Sequence, residues 1–71
     1  MNKIEFNSLV VKHSESLRSY ARNFTRDHED ANDLVQDTLL KAVTYFKNFR
    51  DGTNLKGWLY TIMKNTFINN Y

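Results

Sequence analysis

The chain has 71 residues, with ten basic and eight acidic side chains and neither cysteine nor proline. A chain this short buries only about 60% of the surface that its unfolded form exposes, so it forms one small domain with one core. The absence of cysteine excludes disulfides, a cysteine nucleophile and thiolate metal sites. No apolar run approaches the roughly 18 residues that span a bilayer. We therefore expect a soluble, cytoplasmic domain without membrane insertion.

The formal net charge of +2 is distributed unevenly along the chain. Residues 1–26 carry a net charge of +3, residues 27–37 carry −5, and residues 38–71 carry +4. An acidic segment between two basic segments suits a protein that meets one basic partner and one polyanion. Charges kept for solubility explain the same distribution equally well, so charge alone selects no function.

The first third of the chain has apolar residues at helical spacing. They are Phe6, Leu9, Val10, Leu17, Tyr20, Ala21 and Phe24, and His13 falls on the same face. This spacing predicts one helix from about Glu5 to Thr25. Its opposite side carries three arginines at i, i+4 spacing, namely Arg18, Arg22 and Arg26.

A second helix is predicted from about His28 to Asn48, with Asp27 as its N-cap, because carboxylates are favoured at helix N-termini. Its apolar face comprises Ala31, Leu34, Val35, Thr38, Leu39, Ala42, Val43 and Phe46. The Asp51-Gly52 pair then interrupts the helical pattern, and Thr53 or Asn54 is the expected cap of a third helix.

The third helix presents an apolar face that continues to the end of the chain. This face comprises Leu55, Trp58, Leu59, Ile62, Met63 and Thr66. Gly57 within this helix indicates either a close approach by another backbone or no special role. Three amphipathic helices bury their apolar faces only against one another, which predicts an all-α, compact bundle of three main helices with Trp58 in its core.

Two polar features are not explained by the core. The outward side of the second helix carries Asp33, Asp37, Leu40 and Thr44, with Gln36 beside them. A leucine ringed by carboxylates suits a docking face for a basic helical partner, although single exposed leucines are also ordinary.

The flank of the third helix carries Thr61, Asn65 and Asn69, and asparagine is a poor helix former. Amides bond to base edges and phosphates, and they also form tertiary hydrogen bonds in ordinary domains. No serine has a histidine partner at a recognisable spacing, and no glycine-rich phosphate loop is present. The sequence therefore predicts no catalytic site, no cofactor and no metal, and hence no enzyme.

Two segments, residues 30–42 (DANDLVQDTLLKA) and 49–66 (FRDGTNLKGWLYTIMKNT), together resemble one family. The chain is similar to region 2 of sigma-70-family transcription initiation factors of the extracytoplasmic-function (ECF) type, and the resemblance covers nearly all of residues 1–71. It implies that the chain binds the clamp helices of the beta-prime subunit of core RNA polymerase. It also implies that the chain recognises and helps melt the promoter minus-ten element, by capturing a base flipped out of the non-template strand.

The resemblance also assigns residues by position. The polymerase-binding positions are Asn32, Asp33, Gln36, Asp37 and Leu40, and Val43 has the same assignment although it falls on the apolar face. The positions for the base pocket and phosphates are Phe49, Arg50, Gly52, Thr53, Asn54, Leu55, Lys56, Lys64 and Asn65. An anti-sigma factor is a further partner that the family allows.

Nothing in the chain resembles the promoter-reading helix-turn-helix of region 4, so we expect a domain of a longer factor. The alternative hypothesis is a helical protein-interaction module that docks a regulator through its acidic face and does not bind DNA.

Overall fold

Four α-helices and one 3-10 turn build the part of the chain that the structure describes. The computed structural model describes residues 2–70, except for the side chain of Asn70. In chain order the elements are α1 Lys3–Lys12, α2 Ser14–Ala21, α3 His28–Thr44, a 3-10 turn Phe46–Asn48 and α4 Leu55–Asn70. No strand occurs within residues 2–70, and the predicted all-α class is confirmed. The predicted helical pattern continues in α4 as far as Asn70, and of this pattern only Tyr71 falls outside the described residues.

The chain turns at His13, where the sequence predicted a continuous helix. The N–H of His13 donates to the carbonyl oxygen of Val10 at 3.1 Å, which is a tighter turn than an α-helical one. β-Branched residues and serines are weak helix formers, and Val10, Val11 and Ser14 surround this point. The prediction of one helix is therefore wrong here, because α1 and α2 are separate helices.

Helix α3 begins as predicted and ends earlier than predicted. The carboxylate of Asp27 accepts a hydrogen bond from the N–H of Glu29 at 3.1 Å, which confirms the N-cap. At the other end, the hydroxyl of Thr44 donates to the carbonyl oxygen of Leu40 at 2.8 Å, and the chain leaves the α-helix at Tyr45. Threonine and aromatic residues favour helix weakly, so a 3-10 turn replaces the last predicted helical turn.

Helix α4 is capped by Asn54, one of the two predicted caps. Its side-chain oxygen accepts a hydrogen bond from the N–H of Gly57 at 3.2 Å. A β-carbon added at Gly57 would lie 3.3 Å from the side-chain nitrogen of Asn54. Glycine at position 57 thus makes room for the capping side chain, and the close neighbour is this side chain rather than another backbone.

The core lies where α3 packs against the other three α-helices. Its fully buried apolar residues are Phe6, Val10, Leu17, Ala21, Ala31, Leu34, Val35, Ala42, Leu59 and Met63. Two buried threonines have hydrogen-bond partners: the Thr38 hydroxyl donates to the carbonyl oxygen of Leu34 at 2.7 Å, and the Thr66 hydroxyl accepts from the ammonium of Lys41 at 3.1 Å. The apolar faces read from the sequence therefore meet in one core.

Four aromatic rings form a cluster at the end of the bundle where the loop before α4 starts. Phe6 is fully buried, and its ring centroid lies 4.7 Å from that of Phe46, 5.7 Å from that of Phe49 and 5.8 Å from that of Trp58. Trp58 is only half-buried. The prediction that Trp58 lies in the core is corrected accordingly: Phe6 occupies the centre and Trp58 covers it.

Candidate protein and nucleic-acid interfaces

The side of α3 that points away from the core gathers the predicted protein-binding residues. This α3 outer face consists of Asn32, Asp33, Gln36, Asp37 and Leu40. Asp37 is partly buried and the other four are exposed. Leu40 exposes 68% of its surface, and the other four residues of this face are polar or charged. Val43 is half-buried at the edge of this face, consistent with its place on the apolar face of the sequence.

Asn32 is linked to α2 by an arginine that the sequence did not assign to any site. The Nε–H of Arg18 donates to the side-chain oxygen of Asn32 at 3.2 Å, across a separation of 14 residues. The only signal in the sequence was the i, i+4 spacing of Arg18, Arg22 and Arg26. That spacing does not reveal which arginine meets α3, because the pairing depends on how the two helices cross.

A tight turn shapes the loop that leads to α4. The N–H of Thr53 donates to the carbonyl oxygen of Arg50 at 3.1 Å, and Gly52 has a φ angle of +87°. These features describe a type II turn, in which the third residue adopts the left-handed conformation that favours glycine. A β-carbon at Gly52 would touch nothing within 4 Å, so glycine is required there by backbone conformation rather than by space.

The two ends of this loop are fixed and its middle is exposed. Phe49 and Leu55 are half-buried and pack against the core, and the Phe49 ring lies 5.1 Å from that of Trp58. Arg50, Thr53 and Asn54 are exposed between them. The polar groups of the loop are thus presented to solvent from a rigid base.

Asn65 lies far along α4 from Asn54, the residue that ends the loop. Asn54 and Asn65 are eleven positions apart, which at 1.5 Å per residue corresponds to about 16 Å along the helix axis. A stacked nucleic-acid strand advances roughly 3.4 Å per nucleotide. A ligand that contacts both Asn54 and Asn65 therefore has to extend along α4 over more than the length of one nucleotide.

The two lysines of α4 have different surroundings. The Lys56 ammonium lies 5.6 Å from the centroid of the Tyr60 ring, and that ring stacks on Tyr20 of α2 at 4.0 Å. A lysine placed over an aromatic face is attracted to it, so the ammonium of Lys56 is held next to this pair of tyrosines. Lys64 is exposed further along α4. Tyr60 was not assigned to any site by sequence reasoning.

Comparison with known protein families shows which family this helical domain belongs to. The family described as Sigma-70 region 2 matches residues 9–71, a range that includes all of α2, α3 and α4. The chain belongs to the sigma-70 region 2 family. The α3 outer face and the loop before α4 both lie inside the matched part of this sigma-70 region 2 domain.

Several relatives of this sigma-70 region 2 domain are named as RNA polymerase sigma factors. The ECF RNA polymerase sigma factor EcfG of Rhodopseudomonas palustris is 43% identical over 56 residues, which cover 79% of this chain and 31% of that protein. The RNA polymerase sigma factor YlaC of Bacillus subtilis is 39% identical over 72 residues, covering 86% of this chain and 42% of that protein. The RNA polymerase sigma-H factor of Pseudomonas aeruginosa is 32% identical over 65 residues, covering 92% and 34%.

These similarities confirm the resemblance to ECF sigma-70 factors. They also show how much of each relative the chain covers. The chain spans about a third to two fifths of the length of the relatives that it matches. Membership of a sigma-factor family also confirms the prediction that the chain is not an enzyme. Among the described residues of this sigma-70 region 2 domain, no helix is long and apolar enough to cross a membrane.

Proposed function

We propose that this sigma-70 region 2 domain acts in transcription initiation in the bacterial cytoplasm. It binds core RNA polymerase through the α3 outer face and promoter DNA through the loop before α4 and the flank of that helix. The observation that carries the proposal is the exposure of Leu40, at 68%, on the face that the family assigns to the polymerase. An apolar side chain in a polar surround is the usual form of an interface anchor.

The proposed polymerase partner is the pair of clamp helices of the beta-prime subunit. A helix that packs beside α3 would bury Leu40 and bring basic side chains next to Asp33 and Asp37. The carboxylates steer the encounter and set the register, and the burial of Leu40 supplies contact energy. This division explains why both kinds of residue share one face.

The proposed DNA site is the exposed middle of the loop. Removing a base from the stack costs a few kcal/mol, and a pocket offsets that cost only when the base fits. The exposed polar groups of Arg50, Thr53 and Asn54 are available to a base edge, and Gly52 holds the turn that presents them. Recognition and melting of the minus-ten element are then one event.

Asn65 is proposed to contact a second nucleotide of the same strand. It is exposed on α4 about 16 Å from the loop cap, as the helical rise dictates. The exposed Lys64 next to it supplies a charge for phosphates, and Arg50 and Lys56 do so at the loop. Such phosphate contacts add affinity that falls with salt and carry no sequence information.

Replacement of Leu40 by alanine tests the polymerase contact. We expect binding to core RNA polymerase to weaken about 5- to 30-fold, which corresponds to roughly 1 to 2 kcal/mol of lost anchor burial. The fold should be unaffected, because an exposed side chain contributes little to stability. The measurement is a binding titration of labelled chain with core polymerase, with circular dichroism as the check on helicity.

Val11→Ala is the matched control, since Val11 is another exposed aliphatic residue, located on α1. It should bind polymerase like the unsubstituted chain. If Leu40→Ala and Val11→Ala behave alike, Leu40 is not an anchor and the α3 outer face loses its assignment.

Asn65→Ala tests the DNA contact. With core polymerase on a promoter that the unsubstituted chain opens, we expect permanganate reactivity of unpaired thymines to fall about tenfold, since one good base contact is worth roughly 1 to 3 kcal/mol. Polymerase binding should stay the same. Asn65 is preferred to Asn54 here because Asn54 also caps α4, and removing a cap costs about 1 kcal/mol regardless of DNA.

Asn23→Ala is the control for this experiment, because Asn23 is an exposed asparagine that lies outside α4 and outside the loop before it. Equal promoter opening by the Asn65 variant and the unsubstituted chain would remove the DNA contact at Asn65. If substitutions in the loop are equally silent and polymerase binding persists, the domain is a protein-interaction module that docks a partner, such as an anti-sigma factor, without reading DNA.

A further inference from the structure

The α3 outer face is not uniformly acidic, because the flank nearest α2 presents hydrogen-bond donors. A guanidinium has only donors, so the atom of Asn32 that faces Arg18 has to be the amide oxygen. The amide nitrogen of Asn32, with its two N–H groups, is therefore directed away from Arg18. Arg18 uses its Nε–H for this bond and keeps the four N–H groups of its two terminal nitrogens.

The opposite flank of the same face presents acceptors. Asp33 and Asp37 carry only acceptor oxygens when ionised. Asp37 is five residues after Asn32 in α3. The geometry of an α-helix therefore places it about 7.5 Å further along the helix axis and about 140° around that axis. Gln36 and Leu40 lie between the two flanks. A positive donor flank and a negative acceptor flank are thus separated by a width that one partner helix can cover.

We infer that Arg18 and Asn32 form a second, oppositely charged contact for the polymerase partner, which presents a carboxylate there and a basic side chain to Asp33 and Asp37. This inference rests on the proposed function and specifies the partner's chemistry. An acidic face with an apolar anchor attracts any basic amphipathic helix. A face that carries charges of both signs repels a uniformly basic helix at Arg18. It accepts a helix with both acidic and basic side chains, and only in a single orientation.

The bond between Arg18 and Asn32 also tethers α2 to α3, and the test has to separate tethering from recognition. Asn32→Asp keeps the acceptor for Arg18 and makes it ionic, while it removes the amide donors. If the Arg18–Asn32 bond only tethers α2 to α3, the Asn32→Asp chain should keep or strengthen the pairing of these helices. It should then bind polymerase like the unsubstituted chain. Recognition by donors predicts weaker binding in a chain that melts at the same temperature or higher.

The experiment titrates core RNA polymerase against four forms of the chain: unsubstituted, Asn32→Asp, Arg18→Gln and Lys3→Gln. Lys3→Gln is the control, because it removes one exposed positive charge from α1. We expect about tenfold weaker binding for Asn32→Asp and for Arg18→Gln, and no change for Lys3→Gln. Circular dichroism melting verifies that all four forms fold.

Two results overturn the inference in distinguishable ways. If the unsubstituted chain does not bind core polymerase, the proposed function fails and this inference fails with it. If substitutions at Asp33 and Gln36 weaken binding while Asn32→Asp and Arg18→Gln bind like the unsubstituted chain, the proposed function stands. In that case Arg18 and Asn32 only tether the two helices.

Discussion

Replacing Phe6 by alanine is expected to lower the free energy of unfolding by about 3 to 5 kcal/mol. Its ring is fully buried and contacts the rings of Phe46, Phe49 and Trp58, so truncation leaves a cavity among three other aromatic rings. At about 0.05 to 0.15 kcal/mol per residue, a domain of this size has total stability on the order of 4 to 10 kcal/mol. Urea denaturation followed by circular dichroism measures the loss.

Ile4→Ala is the matched control for Phe6→Ala, because Ile4 lies on the same helix with 82% of its surface exposed. It should change stability by no more than about 0.5 kcal/mol. Trp58→Ala should fall between the two, since the indole is half-buried. A larger loss for Trp58 than for Phe6 would contradict the placement of Phe6 at the centre of the aromatic cluster.

The double substitution Asp33→Lys with Gln36→Ala is expected to abolish capture of the beta-prime clamp-helix fragment in a pulldown. Lysine at position 33 would meet the basic side chains that the acceptor flank is proposed to attract, and such like-charge contacts cost several kcal/mol. We expect at least about 100-fold weaker binding, which is roughly 2.7 kcal/mol. Helicity measured by circular dichroism should be retained, because both side chains are exposed.

Glu5→Lys provides the comparison, since it makes the same charge reversal at an exposed position of α1. It should bind the fragment as well as the unsubstituted chain. Full-strength capture of the double variant would refute the docking assignment of the α3 outer face, whatever the DNA experiments show.

Local rules predicted the features that depend on near neighbours in the chain. The caps Asp27 and Asn54 follow from the preference of short polar side chains for helix N-termini, and both make the expected bonds. The outward position of Leu40 follows from the helical repeat alone. Fold class and the α3 outer face were therefore accessible without a structure.

Features that depend on distant neighbours were not accessible in this way. The break at His13 was missed for a different reason, because it reflects a local run of weak helix formers whose effect periodicity does not measure. The contacts of Arg18 with Asn32 and of Lys41 with Thr66 join residues 14 and 25 positions apart, and they depend on how helices cross. The separation of Asn54 from Asn65 was different: it follows from the helical rise, but it becomes evident only once α4 is known to be continuous between them.

The anchored ends of the loop have a practical consequence for exchanging the loop between related domains. Phe49 is held by the aromatic cluster and Leu55 packs against the core, so residues 50–54 form a cassette between two fixed points. A five-residue segment from another such factor can be grafted there without touching a buried residue, provided that glycine keeps the third position and asparagine the fifth. On the proposed function, such a graft exchanges the base preference of the domain while it leaves the buried core unchanged.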